Sequence, residues 1–318
     1  MYKVIMVPTQ GSETERSALS VAVRLARRFG AEIRLVQVET GTVILEGNTR
    51  PADSARTEAL IEAERLSRRQ KLEALGSECR AWGVTVATAM EEGLVAQGLT
   101  SYAERNDVDL IVMSSHSRGG LKRISLGSVT DFMIRNTHVP VLVVRPPATF
   151  IPNAPDDHFG RILVPLDGSA LSEQILPQVE ALAIPLNATV SLLQVLTPFT
   201  YSQREIKDPA MPWWETEVAS GESYLSRVAR YLTEKGLTVQ HEVVIGDMIS
   251  DTILQYAVRA RIDLIAIATS GTGGFRRLLL GTVADAVTRK SQTSVLVFHP
   301  SVITSATHER INAQPATA

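Results

Sequence analysis

The chain repeats itself, and the repeat governs every fold it can adopt. YKVIMVPTQGS (residues 2–12) is echoed by GRILVPLDGS (160–169), EIRLVQVET (32–40) by TVSLLQVLT (189–197), and GVTVATAMEEG (83–93) by GLTVQHEVVIG (236–246). DLIVM (109–113) returns as DLIAI (263–267), and VPVLVVRP (139–146) as TSVLVFHP (293–300). The offset stays between 153 and 157 in all five pairs, so the 318 residues are two tandem copies of one unit. Each copy has the ~150 residues of an ordinary domain.

Within a copy, short apolar strands alternate with helical segments. KVIMVP leads into ETERSALSVAVRLARRFG, where Ala18, Ala22, Leu25 and Phe29 share one helical face and Gly30 supplies the stop. Strand EIRLVQV, a long segment 51–81, strand VTVATAM, a helix over 94–106, strand DLIVM, a helix over 128–137 and strand VPVLVV follow. Strands that are apolar throughout and alternate with helices predict an α/β fold: a doubly wound parallel sheet with helices on both faces, built twice. The expected domains are 1–148 and 160–300, joined by a proline-rich linker at 149–159 and followed by a disordered tail at 301–318. VPVLVV and TSVLVF are the last strands of their sheets and need covering, which predicts that the halves pack as a pseudo-dimer within one chain.

Composition narrows the function. A net charge of −2 gives no reason to expect nucleic acid or an anionic membrane as partner. No apolar run approaches the ~20 residues of a membrane span. The N-terminal apolar stretch is too short for a secretory signal. A single cysteine, Cys79, excludes an internal disulfide or a thiolate metal cluster and is expected to fill space on a helix. The expectation is a metal-free cytoplasmic protein.

Special residues cluster where ligands sit in such sheets, beyond the carboxyl ends of the strands. VPTQGS and VPLDGS follow the first strand of each copy; SSHSRGGLKRISLGS (114–128) and ATSGTGGFRRLLLGT (268–282) follow the fourth. A Walker A loop needs a Gly-Lys-Ser/Thr ending, which is missing, and a Rossmann fingerprint follows the first strand rather than the fourth. In spacing and position these loops resemble those of the universal stress protein family. Its nucleotide-binding members carry Gly, two residues, Gly, nine residues and Gly-Ser or Gly-Thr after strand four, with an Asp after strand one. The resemblance covers residues 2–146 and 160–300 and implies two five-stranded parallel sheets of order 3-2-1-4-5.

Carried over by position, the motif falls on Ala268, Gly271, Gly281 and Thr282 in the second half, with Asp167 in the first loop. In the first half it falls on Ser114, Ser117, Gly127 and Ser128, with Gln10 where Asp would stand. The resemblance also nominates Pro165, Val195, Ile267 and Val283, and in the first half Pro8, Val38, Met113 and Val129. The second half is therefore expected to be the tighter site. Glycine turns its amides toward phosphate and leaves room for it, and an Asp accepts from a ribose or an adenine amino group more strongly than Gln does.

Plainer readings stand beside these. Ser128-Val-Thr-Asp131 and Thr282-Val-Ala-Asp285 also look like capping boxes, and Asp167 like the start of an Asx-turn. Arg276, Arg277, Lys122 and Arg123 fit a solvated face, and Trp213-Trp214 a packing or interface anchor. The implied function is a non-catalytic stress or signalling protein that binds ATP or AMP, with or without Mg²⁺, and whose interactions change with occupancy. The alternatives are a slow ATPase and a ligand-free scaffold acting through dimer surfaces, homodimers included. No base-and-nucleophile pair is evident.

Overall fold

The computed structural model describes residues 2–10, 15–40, 51–115, 126–145, 159–198, 213–269, 281–300 and 306–312. The first half runs β1 (Val4–Pro8), α1 (Arg16–Phe29), β2 (Glu32–Glu39), α2 (Pro51–Ala81), β3 (Thr85–Glu92), α3 (Val95–Arg105), β4 (Leu110–Ser114), α4 (Ser128–Asn136) and β5 (Val141–Val144). The second half repeats it: β6 (Arg161–Pro165), a 3₁₀ turn (Ser172–Ile175), α5 (Leu176–Leu186), β7 (Thr189–Leu196), α6 (Trp213–Thr233) and β8 (Thr238–Ile245). Then come α7 (Ile249–Arg259), β9 (Leu264–Ala268), α8 (Thr282–Lys290) and β10 (Ser294–Phe298), followed by α9 (Ala306–Asn312).

The four positions read as the apolar face of α1 are all buried. The helix stops where Gly30 turns left-handed at φ 66° and its N–H caps the Ala26 carbonyl. In the second half Asn187 takes that role at φ 51°, the residue type that tolerates the conformation best after glycine. Asp109 and Asp263 are a matched pair too. Each accepts the backbone N–H at the start of its half's first strand: Val4 at 2.9 Å and Arg161 at 2.9 Å. Both precede an apolar run (LIVM, LIAI) in the sequence, so one carboxylate registers β4 on β1 and the other β9 on β6.

All ten strands form one sheet, in the order β3-β2-β1-β4-β5-β10-β9-β6-β7-β8. Within each half the strands are parallel and follow the order 3-2-1-4-5. The halves meet where β5 pairs antiparallel with β10, in the register Val295↔Val143, Leu296↔Leu142 and Val297↔Val141. The two terminal strands thus cover one another's edges. Leu142 and Leu296 face the core layer under α1, α2, α5 and α6; Val143 and Val295 face the opposite layer, under α3, α4, α7 and α8.

Side chains reinforce this seam with two-fold logic. Asp131 and Arg135 on α4 meet Asp285 and Arg289 on α8 in a closed ring of ion pairs: Arg135–Asp131 at 3.1 Å, Arg135–Asp285 at 2.7 Å, Arg289–Asp285 at 3.0 Å, and Arg289 with Asp131. This corrects the capping-box reading. The N-caps are Gly127 and Gly281, without side-chain cap bonds, and both aspartates turn to the other half. On the other face the Tyr2 hydroxyl donates to Gln178 Oε1 at 2.8 Å. Arg145, buried at the end of β5, donates to the Thr288 carbonyl in the last turn of α8, at the negative end of that helix. Burial draws its pKa down to about 10. At the other end of the seam the rings of His138 and His299 stack with centroids 5.5 Å apart, and Thr269 Oγ1 lies 2.6 Å from His299 Nδ1.

The C-terminal segment departs from expectation. Within the stretch read as disordered, residues 306–312 form α9, which packs on α6 through the fully buried Ile311. His308 Nδ1 sits 2.9 Å from Oε2 of Glu173, a fully buried carboxylate that also accepts the Tyr224 hydroxyl at 3.0 Å. Ile311 and the His308–Glu173 pairing help to hold this helix, and neither is visible from composition. The linker lies almost wholly outside the described residues. Cys79 is fully buried on α2, and burial pushes its thiol up to about 12, which fits a space-filling role.

Two expected outcomes follow from the seam. Leu296→Ala should cost about 2–5 kcal/mol in urea unfolding of the full chain, because it leaves a cavity where both halves share a core. His299 is held below the ordinary histidine value, first by burial and then by His138. The unfolded chain then binds its proton near pH 6.5 while the folded chain does not, so stability should fall as pH drops below about 6.5. His299→Gln should flatten that part of the stability–pH curve; an unchanged slope would remove His299 as its source.

Candidate functional site

In each half the winding reverses between the first and fourth strands. Connections from β1 and β4 leave on opposite faces, so a crevice opens at their carboxyl ends. In the first half this crevice is a cleft of about 520 Å³, within the range of small-molecule sites. Its apolar walls come from strand ends and one helix: Pro8 of β1, Val36 and Val38 of β2, Met113 of β4, and Val95 and Leu99 of α3. Leu99 follows Val95 by one helical turn, which puts both on the cleft side. Gly98 lets α3 approach β2 closely, since a Cβ there would stand 3.1 Å from Val38 Cγ1.

The far end of the cleft is the N-terminus of α4. Leu126, Gly127, Ser128 and Val129 line it, and Ser128 is exposed at the first helical position. With no side chain capping it, the first turn offers its backbone N–H groups and the positive end of its dipole to the cleft. Gly127 has φ −63° and Gly281 φ −58°, ordinary values that demand no glycine, so the motif's last glycine is not there for a left-handed turn. The second half has the same construction. Pro165 ends β6, Val195 lies in β7, Ile267 in β9, and Gly281, Thr282 and Val283 open α8.

Eight of the nine positions carried over to the first half therefore line one cleft: Pro8, Gln10, Val38, Met113, Ser114, Gly127, Ser128 and Val129. Ser117 and Gly271 lie outside the described residues, as do the loop arginines and lysine.

The loop after the first strand differs between the halves. In the second, Asp167 Oδ1 accepts the Ser169 N–H at 2.9 Å and the Ser169 hydroxyl at 2.6 Å, an Asx-turn that carries Gly168 through φ +85°. Burial alone would raise the Asp167 pKa; the hydrogen bonds from Ser169 outweigh it and hold the group below its ordinary value. In the first half Gln10 cannot supply that charge, and Glu15 does so instead. Glu15 stands at the position of Ser172, accepts the Gln10 N–H at 3.0 and 2.9 Å and the Thr9 hydroxyl at 2.8 Å, and lines the cleft. Sequence reasoning missed Glu15, Val95 and Leu99. The apolar i, i+4 pair of α3 was readable; a carboxylate displaced by five residues was not. A larger opening of about 610 Å³ lies along α7 at the end of β8, on the sheet's outer edge and away from either crevice.

Comparison with known proteins places this architecture. The family model described as the universal stress protein family matches twice, at residues 1–145 and 158–299. A universal stress protein of Methanocaldococcus jannaschii is 35% identical over 147 residues, 46% of this chain and 84% of its own length. One of Mycobacterium tuberculosis is 26% identical over 198 residues, 62% of this chain and 63% of the relative, so that match spans less than two thirds of its length. The crystal structure of a universal stress protein from Archaeoglobus fulgidus superposes with a TM-score of 0.65 at 19% identity, over 93% of this chain and 98% of the other, a likeness of fold. The two family matches fall one on each half of the ten-stranded sheet, and the chain belongs to the universal stress protein family as a tandem, two-domain member.

Proposed function

We propose that this chain binds an adenine nucleotide, ATP or AMP, in the crevices beyond β1/β4 and β6/β9, and that it acts by ligand-dependent interaction in a stress or signalling response. The observation that carries this reading is the first-half cleft, in which apolar strand ends meet the open N-terminus of α4. A purine is a flat apolar body with polar edges and its phosphates are anionic, so the walls suit one end and the helix terminus the other. Asp167 serves as a fixed anionic acceptor near the base and ribose. A Mg²⁺ ion would arrive with the phosphates, because the described residues hold no group of three ligands suited to a metal ion. Glu15, the carboxylate in the first cleft, is occupied in holding Gln10 and Thr9, a positioning duty rather than activation of water. The same reading keeps the protein in the cytoplasm and places partner recognition on its surfaces, homodimer contacts included.

Ser128→Glu and Thr282→Glu test the two sites without threatening the fold, since a carboxylate in the first turn stabilises a helix while repelling phosphate. ATP at about 100 times its Kd should stabilise the wild type by about 2.7 kcal/mol. Thr282→Glu should remove the tighter binding phase in calorimetric titration and Ser128→Glu the weaker one; ATP binding unchanged in both variants would refute the assignment. Mass spectrometry of the denatured protein would identify any nucleotide carried through purification.

Turnover should be negligible. Incubation with ATP should leave the nucleotide intact over hours. A hydrolysis rate that tracks the protein through purification and disappears in Thr282→Glu would make it an enzyme.

A further inference from the structure

A side chamber of about 400 Å³ opens off the first-half cleft. Thr9, Gln10, Val38 and Val95 line both spaces, so they share a sill at the ends of β1 and β2. The far wall of the chamber is α2. Leu72 and Leu75 give it an apolar base, and Arg68 and Lys71, three residues apart on one helix face, stand over it. Gln37 and Thr40 add neutral hydrogen-bonding groups from the end of β2. Arg68 holds Glu64 at 2.5 Å with its side chain 40% exposed. Lys71 is exposed and forms no salt bridge among the described residues.

The second half shows that the fold does not require this chamber. The glycines closing the two long helices, Gly83 and Gly236, align α2 with α6 and put Gly221 at the place of Arg68 and Tyr224 at that of Lys71. Gly221 is packed so closely on Gln194, the counterpart of Gln37, that an added Cβ would lie 2.7 Å from its Oε1. Tyr224 is buried and donates its hydroxyl to Glu173 at 3.0 Å. Among the described residues, the second half thus has Gly221 and the buried Tyr224 at the positions of the two cations. The half with serines in its fourth-strand loop, at Ser114 and Ser117, is the half with two cations on the opposite side of the cleft.

We propose that Arg68 and Lys71 form a second anion subsite, and that the ligand of the first half is a nucleotide carrying phosphate at two ends. One phosphate lies at the N-terminus of α4 and the other over α2, with the nucleoside across the sill between them. A guanidinium grips phosphate through its planar fork and an ammonium as a point charge, so the pair suits a phosphate dianion better than a neutral group. The inference rests on the nucleotide reading of the cleft.

Titration calorimetry of the full-length protein with adenosine 5′-monophosphate and adenosine 3′,5′-bisphosphate, at low ionic strength, tests both levels. The wild type should bind the bisphosphate at one of its sites about tenfold more tightly than the monophosphate, a margin that salt should narrow because both cations are partly exposed. The Arg68→Gln/Lys71→Gln double variant should bring the two ligands to within about twofold and leave the monophosphate unchanged, since glutamine is a good helix former at these surface positions. Arg69→Gln, one residue away but outside the chamber, should keep the preference. Equal wild-type affinities, or a preference that survives the double substitution, overturn the subsite. Failure of both nucleotides to bind overturns the reading beneath it.

Discussion

One pair of strands decides what this chain can be. A five-stranded parallel sheet built from one copy would leave its last strand open, with a row of backbone donors and acceptors that attract other chains. Joining β5 to β10 satisfies both rows at once and merges two small cores into two continuous layers, one on each face of a ten-stranded sheet. The ring of Asp131, Arg135, Asp285 and Arg289 adds direction to that junction. Each aspartate serves an arginine of its own helix and one of the other, so the ring closes in a single alignment of the halves. Half-buried pairs of this kind contribute modest energy singly, and a closed network contributes more through geometry than through strength.

Much of this was legible in the sequence because duplication doubles the signal. An apolar run alone cannot be told from a buried helix segment, but two runs that recur with the same neighbours can be placed in the same fold. The runs that open at Asp109 and Asp263, and the loop ends Gly127 and Gly281, are paired in the sequence, whereas Asn187 emerges as the partner of Gly30 only in the structure. Topology pointed to the loops after the first and fourth strands, and the family resemblance supplied the individual strand-end positions of the cleft. What stayed hidden depended on contacts distant in the chain. Asp131 and Asp285 look like caps until the other half is in place. Ile311 looks like an isolated apolar residue in a polar tail until α6 lies beneath it. Glu15 reads as a charge at the start of a helix, and only the folded loop shows it tied to Gln10 and Thr9.

The copies have kept their framework and diverged in chemistry. Strand order, helix faces and the carboxylate that registers the fourth strand on the first are common to both. The loop after the first strand, the glycines of the fourth-strand loop and the wall of the long helix are not. Gly221 against Gln194 is a packing solution and Arg68 beside Gln37 an open one, on the same backbone positions. The same backbone position is therefore packed tight in one half and left open in the other.

The direction of the β5–β10 joint has a geometric consequence. Because those two strands run oppositely, β1 and β4 end at one rim of the great sheet while β6 and β9 end at the opposite rim. The two crevices therefore face away from one another, like doors at the two ends of a corridor. No single small ligand can bridge them. The packed connection between the two rims runs through the seam, where α4 lies against α8.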